Sequence, residues 1–193
     1  MALGAILSTA NDEPLGAVST CVKGDLDCEN ATRELLREWW EVTSKGELLD
    51  SVEWLTTEGH NQAYEALREG IRRGDISSEP GDDSEMMAMI AAVQEAEKAF
   101  PKQGILAWDY VRALHLARWG VGAGYLTEAE GWQIVERVDA KMRESFSSYR
   151  ELGQNYLLGR RFWAKKPKDP NDRYEQIYQK LVQPEGLWAR LPW

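Results

Sequence analysis

The stretch AWDYVRALHLARWG, residues 107–120, decides the fold. Its apolar residues cover nearly every side of a helix, and a helix of this kind must lie in the core. At 100° per residue, Trp108, Arg112, His115 and Trp119 fall on one stripe. The stretch therefore predicts a central buried helix over 103–119, in which two indoles flank a guanidinium and an imidazole.

Helical spacing of apolar residues recurs along the rest of the chain, and no strand alternation is long enough to build a sheet. Ser44 with Glu47 and Thr127 with Glu130 form S/T-x-x-E capping boxes. Gly59 is placed to end a helix in the left-handed conformation. We predict an all-α fold: a single compact domain of about seven or eight helices around the central helix.

The predicted organisation has three parts. Residues 1–30 form a short helix and a loop, with Leu3, Ile6 and Leu7 of the helix packing on the body. Residues 31–163 form the helical core. Residues 164–193 contain a linker, a last helix and the aromatic tail GLWARLPW, which is expected to pack on the core because an exposed apolar patch is unfavourable.

Composition limits the possible functions. The net charge is −9 and the pI is near 4.9, so the average field repels nucleic acid and anionic membrane surfaces. A basic protein partner is favoured, although an excess of acid also serves solubility alone. The nine tryptophans are unusually many for 193 residues, and most are expected to be packed.

The compartment is predicted from three negative signals. No stretch approaches the length of a membrane span, and no basic residue precedes Lys23 as a secretory signal would require. Cys21 and Cys28 match neither a zinc spacing nor a disulfide framework. We expect reduced thiols in a cytoplasmic protein.

The polar stripe has two interpretations. Arg112 cannot lose its proton, so burial demands an acceptor, and Asp109 is close enough on the helix to supply part of one. In the structural interpretation the residues form a satisfied network. In the functional interpretation Asp109, Arg112 and His115 line a pocket between Trp108 and Trp119, where the guanidinium holds an anion and the imidazole exchanges a proton.

Other candidate sites carry weaker signals. Glu58 and His60, in TEGH at 57–60, lie beside a helix end, but no metal-binding spacing joins the two histidines. The glycine-rich GVGAGY at 120–125 has neither a preceding strand nor a P-loop lysine, and predicts a turn between helices. The pair Ser147 and Ser148 fits a helix start. We predict no catalytic residue, no metal and no cofactor.

The acidic stretch 75–85 is predicted to be a solvated loop, and is also a candidate for binding a cationic partner through Asp75, Glu79, Asp82, Asp83 and Glu85. The basic run RRFWAKKPK at 160–168 is expected to contact this loop or an external protein rather than nucleic acid, because the chain is acidic overall.

Two longer motifs are WDYVRALHLARWGVGAGYLTEAEGW at 108–132 and SSYRELGQNYLLGRRFW at 147–163. Together with LLDSVEWLTTEGHNQAYE at 48–65, they resemble the bacterial domain of unknown function 1266 family over roughly residues 32–163. Matching positions include His60, Asp109, Arg112, Arg118 and Trp119, and Tyr149 stands where the family pattern suggests Trp. The resemblance implies a bacterial cytosolic protein and no established activity.

Two functions follow as hypotheses. The first is a non-catalytic binding protein, for example an immunity protein that neutralises a secreted toxin by protein–protein contact. Its support is the small acidic chain without a nucleophile or cofactor loop. The alternative is an enzyme or small-ligand sensor that uses a pocket around Asp109, Arg112 and His115.

Overall fold

A computed structural model describes residues 2–76 and 83–193, which form helices and loops but no strand. After a short 3-10 helix at Ala2–Gly4, ten α-helices follow in the order α1 (Ala5–Ala10), α2 (Leu26–Trp40), α3 (Lys45–Thr57), α4 (Asn61–Arg73), α5 (Ser84–Ala99), α6 (Leu106–Gly122), α7 (Glu128–Ser145), α8 (Tyr149–Ala164), α9 (Arg173–Val182) and α10 (Leu187–Arg190). Eight of these have ten residues or more. The prediction of an all-α fold is confirmed for the described residues.

Helix α6 is the buried helix that the sequence predicts, since residues 107–111 and 113–120 are all buried. It continues three residues beyond the predicted end, through Gly120 and Gly122. An added Cβ at Gly120 would lie 2.7 Å from Cδ1 of Leu48, so glycine permits close packing there. The left-handed residue that follows the helix is Gly124, with φ +75°.

The chain divides into two compact units. The first unit comprises Met1–Thr57 and Tyr110–Glu144, and the second comprises Glu58–Asp109 and Ser145–Trp193. Helix α6 contributes its first turn to the second unit and its remaining residues to the first. These units do not coincide with the segments 1–30, 31–163 and 164–193, which remain a prediction.

The predicted helix ends are confirmed in detail. The amide of Glu130 donates to the Thr127 hydroxyl, and the amide of Thr127 donates to the Glu130 carboxylate over 3.0 Å. This exchange is a complete capping box. Ser44 likewise accepts from the amide of Glu47, and Gly59 has φ +57°.

Both terminal segments contain buried apolar residues. In the first unit, Leu3, Ile6 and Leu7 are buried. In the second unit, Trp188 of the aromatic tail is buried and its ring stacks parallel to that of Tyr149, with centroids 5.9 Å apart. The Tyr149 hydroxyl donates to the Pro192 carbonyl over 3.1 Å.

The expectation of reduced thiols is wrong for this structure. Cys21 and Cys28 form a disulfide with Cα atoms 5.7 Å apart. Helix α2 begins at Leu26, inside the segment 1–30 that is predicted to contain a short helix and a loop, and its first turn brings Cys28 back towards the preceding loop. The spacing of seven residues between the two cysteines did not predict the disulfide, because its formation depends on where the helix begins.

The expectation that most tryptophans are packed is met by a narrow majority, five of the nine. Trp108, Trp119 and Trp188 are buried, and two more, Trp40 and Trp193, are partly buried. The remaining four are at least 38% exposed: Trp39, Trp54, Trp132 and Trp163. Helical spacing places an indole on the apolar side of its own helix, but it does not determine how much of the ring is buried.

Membrane insertion by a helix has no support in the described residues, where no helix combines the length and the apolarity that a bilayer span requires.

Gly59→Ala should destabilise the protein much more than Gly74→Ala. Both glycines have positive φ, which costs an alanine about 1–2 kcal/mol. An alanine Cβ at position 59 would also lie 2.4 Å from the carboxylate of Asp109, whereas position 74 opens onto free space. We expect losses in unfolding free energy of about 1 kcal/mol for Gly74→Ala and at least about 3 kcal/mol for Gly59→Ala, measured by urea denaturation. Equal losses would show that the contact with Asp109 is not tight.

Candidate functional site

Helix α6 carries a buried group of hydrogen-bonded polar side chains in the first unit. Arg118 has no exposed surface. Its Nη1 atom lies 2.9 Å from Oε2 of Glu13 and 2.7 Å from the Ser8 hydroxyl. The indole N–H of Trp119 donates to Oε1 of Glu13 over 2.7 Å. We call Ser8, Glu13, His115, Arg118 and Trp119 the α6 polar network.

The imidazole of His115 is held on both sides. Its Nδ1 atom lies 2.8 Å from the carbonyl oxygen of Val111, which can only accept, so Nδ1 carries the proton. The Nε2 atom lies 3.0 Å from the Ser8 hydroxyl and accepts its hydrogen. Since Ser8 accepts from Arg118, the donors run in one direction from Arg118 through Ser8 and His115 to Val111.

Burial dominates the electrostatics of this network. It lowers the pKa of His115 to about 3, and the positive charge of Arg118 acts in the same direction. It also raises the pKa of Glu13, against the opposing effects of the Trp119 N–H and the Arg118 charge. The imidazole is therefore neutral near pH 7. A hydroxyl that donates to a neutral imidazole resembles a nucleophile and its base, but Ser8 is only 1% exposed.

A second polar group forms in the second unit around Asp109, whose side chain is 1% exposed. Oδ1 accepts from the backbone N–H of His60 over 3.0 Å and from its Nδ1 over 2.7 Å. Oδ2 accepts from the backbone N–H of Asn61 over 2.9 Å. Asp109 thus caps the N-terminus of α4 from another helix, and a carboxylate at that end is favoured by the helix dipole.

Side chains of α4 and α8 cap the start of α6. The Asn61 side chain accepts from the amide of Ile105 over 2.8 Å. Asn155 of α8 accepts from the amide of Ala107 over 2.9 Å and donates to the carbonyl of Gly104 over 2.7 Å. Two backbone amide donors at each of the two helix starts are thus satisfied by side chains of the second unit.

The structure distributes the predicted site residues between these two groups. It brings His60 together with Asp109, and the ring centroids of His115 and Trp119 lie 5.7 Å apart. Trp108 packs in the second unit against Tyr156, at a centroid distance of 5.3 Å. Glu58 is exposed.

The arginine that is fully enclosed is Arg118, and the prediction that Arg112 fills this position is wrong. Arg112 is partly buried, and its guanidinium lies 4.3 Å from the ring centroid of Trp40. Arg118 follows Val111 and Leu114 at helical spacing, and both are at most 1% exposed. Arg112 likewise follows the buried residues Ile105 and Trp108 at helical spacing, so this pattern does not distinguish the two arginines.

Sequence reasoning missed Ser8, Glu13, Asn61 and Asn155 as partners. Glu13 lies 105 residues from Arg118, in a segment without helical periodicity. The two asparagines carried no distinguishing spacing. Only the folded chain brings such residues beside α6.

The candidate partner-binding acids have mixed positions in the structure. Glu79 and Asp82 lie outside the described residues. Asp83 accepts from the amide of Glu85 at the start of α5, and Glu85 lies 3.0 Å from Lys165. This pair confirms the expected contact between the basic run 160–168 and the acidic stretch. Asp75 is exposed.

Metal binding has no geometric support among residues 2–76 and 83–193, where no three His, Cys, Asp or Glu side chains converge in a way that could hold an ion.

Comparison with known proteins identifies the family. The sequence model of the family described as "Protein of unknown function (DUF1266)" matches residues 35–193 of this chain. The chain belongs to this family. It is 25% identical to the uncharacterized protein YbeU over 179 residues and 26% identical to the uncharacterized protein YbeR over 175, both from Escherichia coli (strain K12). Each alignment covers 80% of this chain and 73% of the relative. No solved structure matches the chain.

The DUF1266 match extends the predicted resemblance. It reaches residue 193 rather than 163, and so includes α9 and the tail that carries Trp188. Asp109, His60 and Arg118 all lie within it. Ser8 and Glu13, which complete the α6 polar network, precede the matched region.

Glu13→Gln should lower the unfolding free energy by about 3–5 kcal/mol, because it leaves the enclosed guanidinium of Arg118 without a counter-charge. The control is Glu34→Gln. Glu34 pairs with Arg37, and both side chains are about half exposed, so the loss there should stay below about 1 kcal/mol. Urea denaturation of the three proteins measures both effects. If Glu13→Gln lowered the unfolding free energy no more than Glu34→Gln does, the result would contradict an ion pair between Glu13 and Arg118.

The neutral His115 predicts acid sensitivity. Its folded-state pKa lies below the unfolded value of 6.5, so between pH 6.5 and about 3 the unfolded chain binds more protons and stability falls as the pH decreases. Between pH 7 and pH 5 this amounts to about 2 kcal/mol. His115→Gln removes this titration, so its destabilising effect should be smaller at pH 5 than at pH 7 by about that amount. A pH-independent difference from the wild type would contradict an imidazole that stays neutral.

Proposed function

We propose that this DUF1266 protein is a non-catalytic binding protein, an immunity protein that neutralises a secreted bacterial toxin by protein–protein contact. One observation carries the proposal. The enclosed side chains of Asp109, His115 and Arg118 are hydrogen-bonded or ion-paired to protein groups, whereas the net charge of −9 is carried by the surface. An acidic surface attracts a basic partner and accelerates its association.

The enclosure of polar residues favours binding over catalysis. The side chains of Asp109, His115 and Arg118 are each at most 1% exposed. Each has hydrogen bonds or ion pairs with groups of its own chain. Catalytic groups must touch a substrate, and a fully enclosed imidazole with both nitrogens engaged is poorly suited to that task. The alternative, an enzyme or ligand sensor at Asp109, Arg112 and His115, therefore has less support.

We further propose the cytoplasm as the site of action, where a toxin that has entered the cell would be intercepted. Cytoplasmic reductants keep thiols reduced. The bond between Cys21 and Cys28 would then be open in the cell and would form in the oxidised purified protein.

The proposal predicts a single stoichiometric protein partner that is toxic when produced alone. We expect the purified chain to bind it 1:1 and to restore the viability of cells that produce it. The association rate should fall at least tenfold between about 0.05 and 0.5 M salt, because screening removes the attraction between opposite charges. Surface plasmon resonance and colony counts measure these effects. A harmless partner, or a toxin whose activity is unchanged by an excess of the chain, would contradict the proposal.

A further inference from the structure

The surplus of acid is concentrated on one part of the chain. We call helices α2 and α3, with the residues before and between them, the α2–α3 surface, residues 25–57. It contains nine acidic and three basic residues, a net charge of −6. These 33 residues thus carry two-thirds of the net charge of the 193-residue chain.

The three basic residues of this surface are already paired. Arg33 contacts Glu29, Arg37 contacts Glu34, and Lys45 contacts Glu130 of α7. Four exposed acids take part in no ion pair within the described chain: Glu38, Glu41, Asp50 and Glu53. The negative charge of this surface is therefore not neutralised by the protein itself.

An uncovered indole lies among these acids. Thr32 and Leu36 form the buried stripe of α2, with exposed fractions of 8% and 0%, and Trp39 continues that stripe. Trp39 is nevertheless 72% exposed. Glu38 and Glu41 lie on either side of it in sequence. Tryptophan is one of the three residue types enriched among the energetically dominant residues of protein interfaces.

The neighbouring residue illustrates the contact that an indole can make on this helix. The guanidinium of Arg112 lies over the ring of Trp40, 4.3 Å from its centroid, which is a cation–π contact. The exposed ring of Trp39 can make the same cation–π contact with a partner. The neighbouring carboxylates of Glu38 and Glu41 also attract a cation to this position.

We propose that the α2–α3 surface is the docking site for a basic protein, whose Lys or Arg side chain stacks on Trp39 while other cations pair with Glu38 and Glu41. This inference rests on the proposed function and names the partner's chemistry and its place of contact. A second copy of the chain is disfavoured, because a two-fold interface would bring one surface of charge −6 against another. Nucleic acid and anionic lipid are repelled by the same charge.

The experiment begins with covalent capture from living cells. A photo-crosslinking phenylalanine analogue is placed at position 39 in one variant and at position 132 in a second. Trp132 is a 39% exposed indole on α7 in the same compact unit. The captured protein is then purified and its dissociation constant for the unmodified chain is measured. Crosslinking identifies the partner protein. The dissociation constants of the variants then test whether the α2–α3 surface is its docking site.

We expect Trp39→Ala to raise the dissociation constant at least tenfold and Trp132→Ala to change it less than twofold. Glu38→Gln with Glu41→Gln should raise it at least fivefold and weaken its salt dependence. The control pair Glu136→Gln with Glu144→Gln, which removes the same charge from exposed positions of α7, should change it less than twofold. Circular dichroism and the melting temperature check that each variant is folded.

The possible failures are distinguishable. A 1:1 neutralised toxin whose affinity is the same for Trp39→Ala and Trp132→Ala would overturn the docking site and leave the proposed function standing. Equal losses for the two charge pairs would show that the attraction depends on net charge rather than on this surface, and would overturn it as well. The absence of any stoichiometric toxic partner would overturn the proposed function and, with it, this inference.

Discussion

A guanidinium without exposed surface needs a counter-charge inside the protein, and this requirement positions the N-terminal segment on helix α6. Removal of Arg118 from water costs several kcal/mol unless a carboxylate lies close by with good geometry. Glu13 meets both conditions at 2.9 Å, from 105 residues away in sequence. Once Glu13 is fixed, the helix that precedes it lies against α6, and Ile6 and Leu7 fill the adjoining core.

In the second unit, a buried charge is stabilised by donors at a helix terminus instead of by an opposite side-chain charge. Asp109 is enclosed, and three donors from the start of α4 satisfy it. The exchange works only because Gly59, with φ +57° and no side chain, lets the chain turn beside the carboxylate. The polar residues that drew attention in the sequence are therefore, to a large extent, the residues that connect separate helices.

Local physics made much of this architecture predictable, and long-range pairing did not. The all-round apolarity of residues 107–120 predicted the buried helix, and the spacing of Thr127 and Glu130 predicted a cap that the structure contains. The identity of the enclosed arginine was not predictable from the polar stripe, because a helix that is buried on all sides has no single inward face. The partner Glu13 had no periodic context, and the exposure of Trp39 depends on the absence of a covering neighbour.

The fold and the net charge of the protein consequently depend on different side chains. In the described residues the two fully buried charged side chains, Asp109 and Arg118, have opposite signs, so buried charge contributes nothing to the net charge of −9. The field of the surface charges extends over a Debye length of about 8 Å at physiological salt. This field acts on approaching molecules, but it does not determine the fold. A change at Glu38 alters the surface field, and a change at Glu13 alters the interior. The acidic surface can therefore change without disturbing the paired charges on which the fold depends.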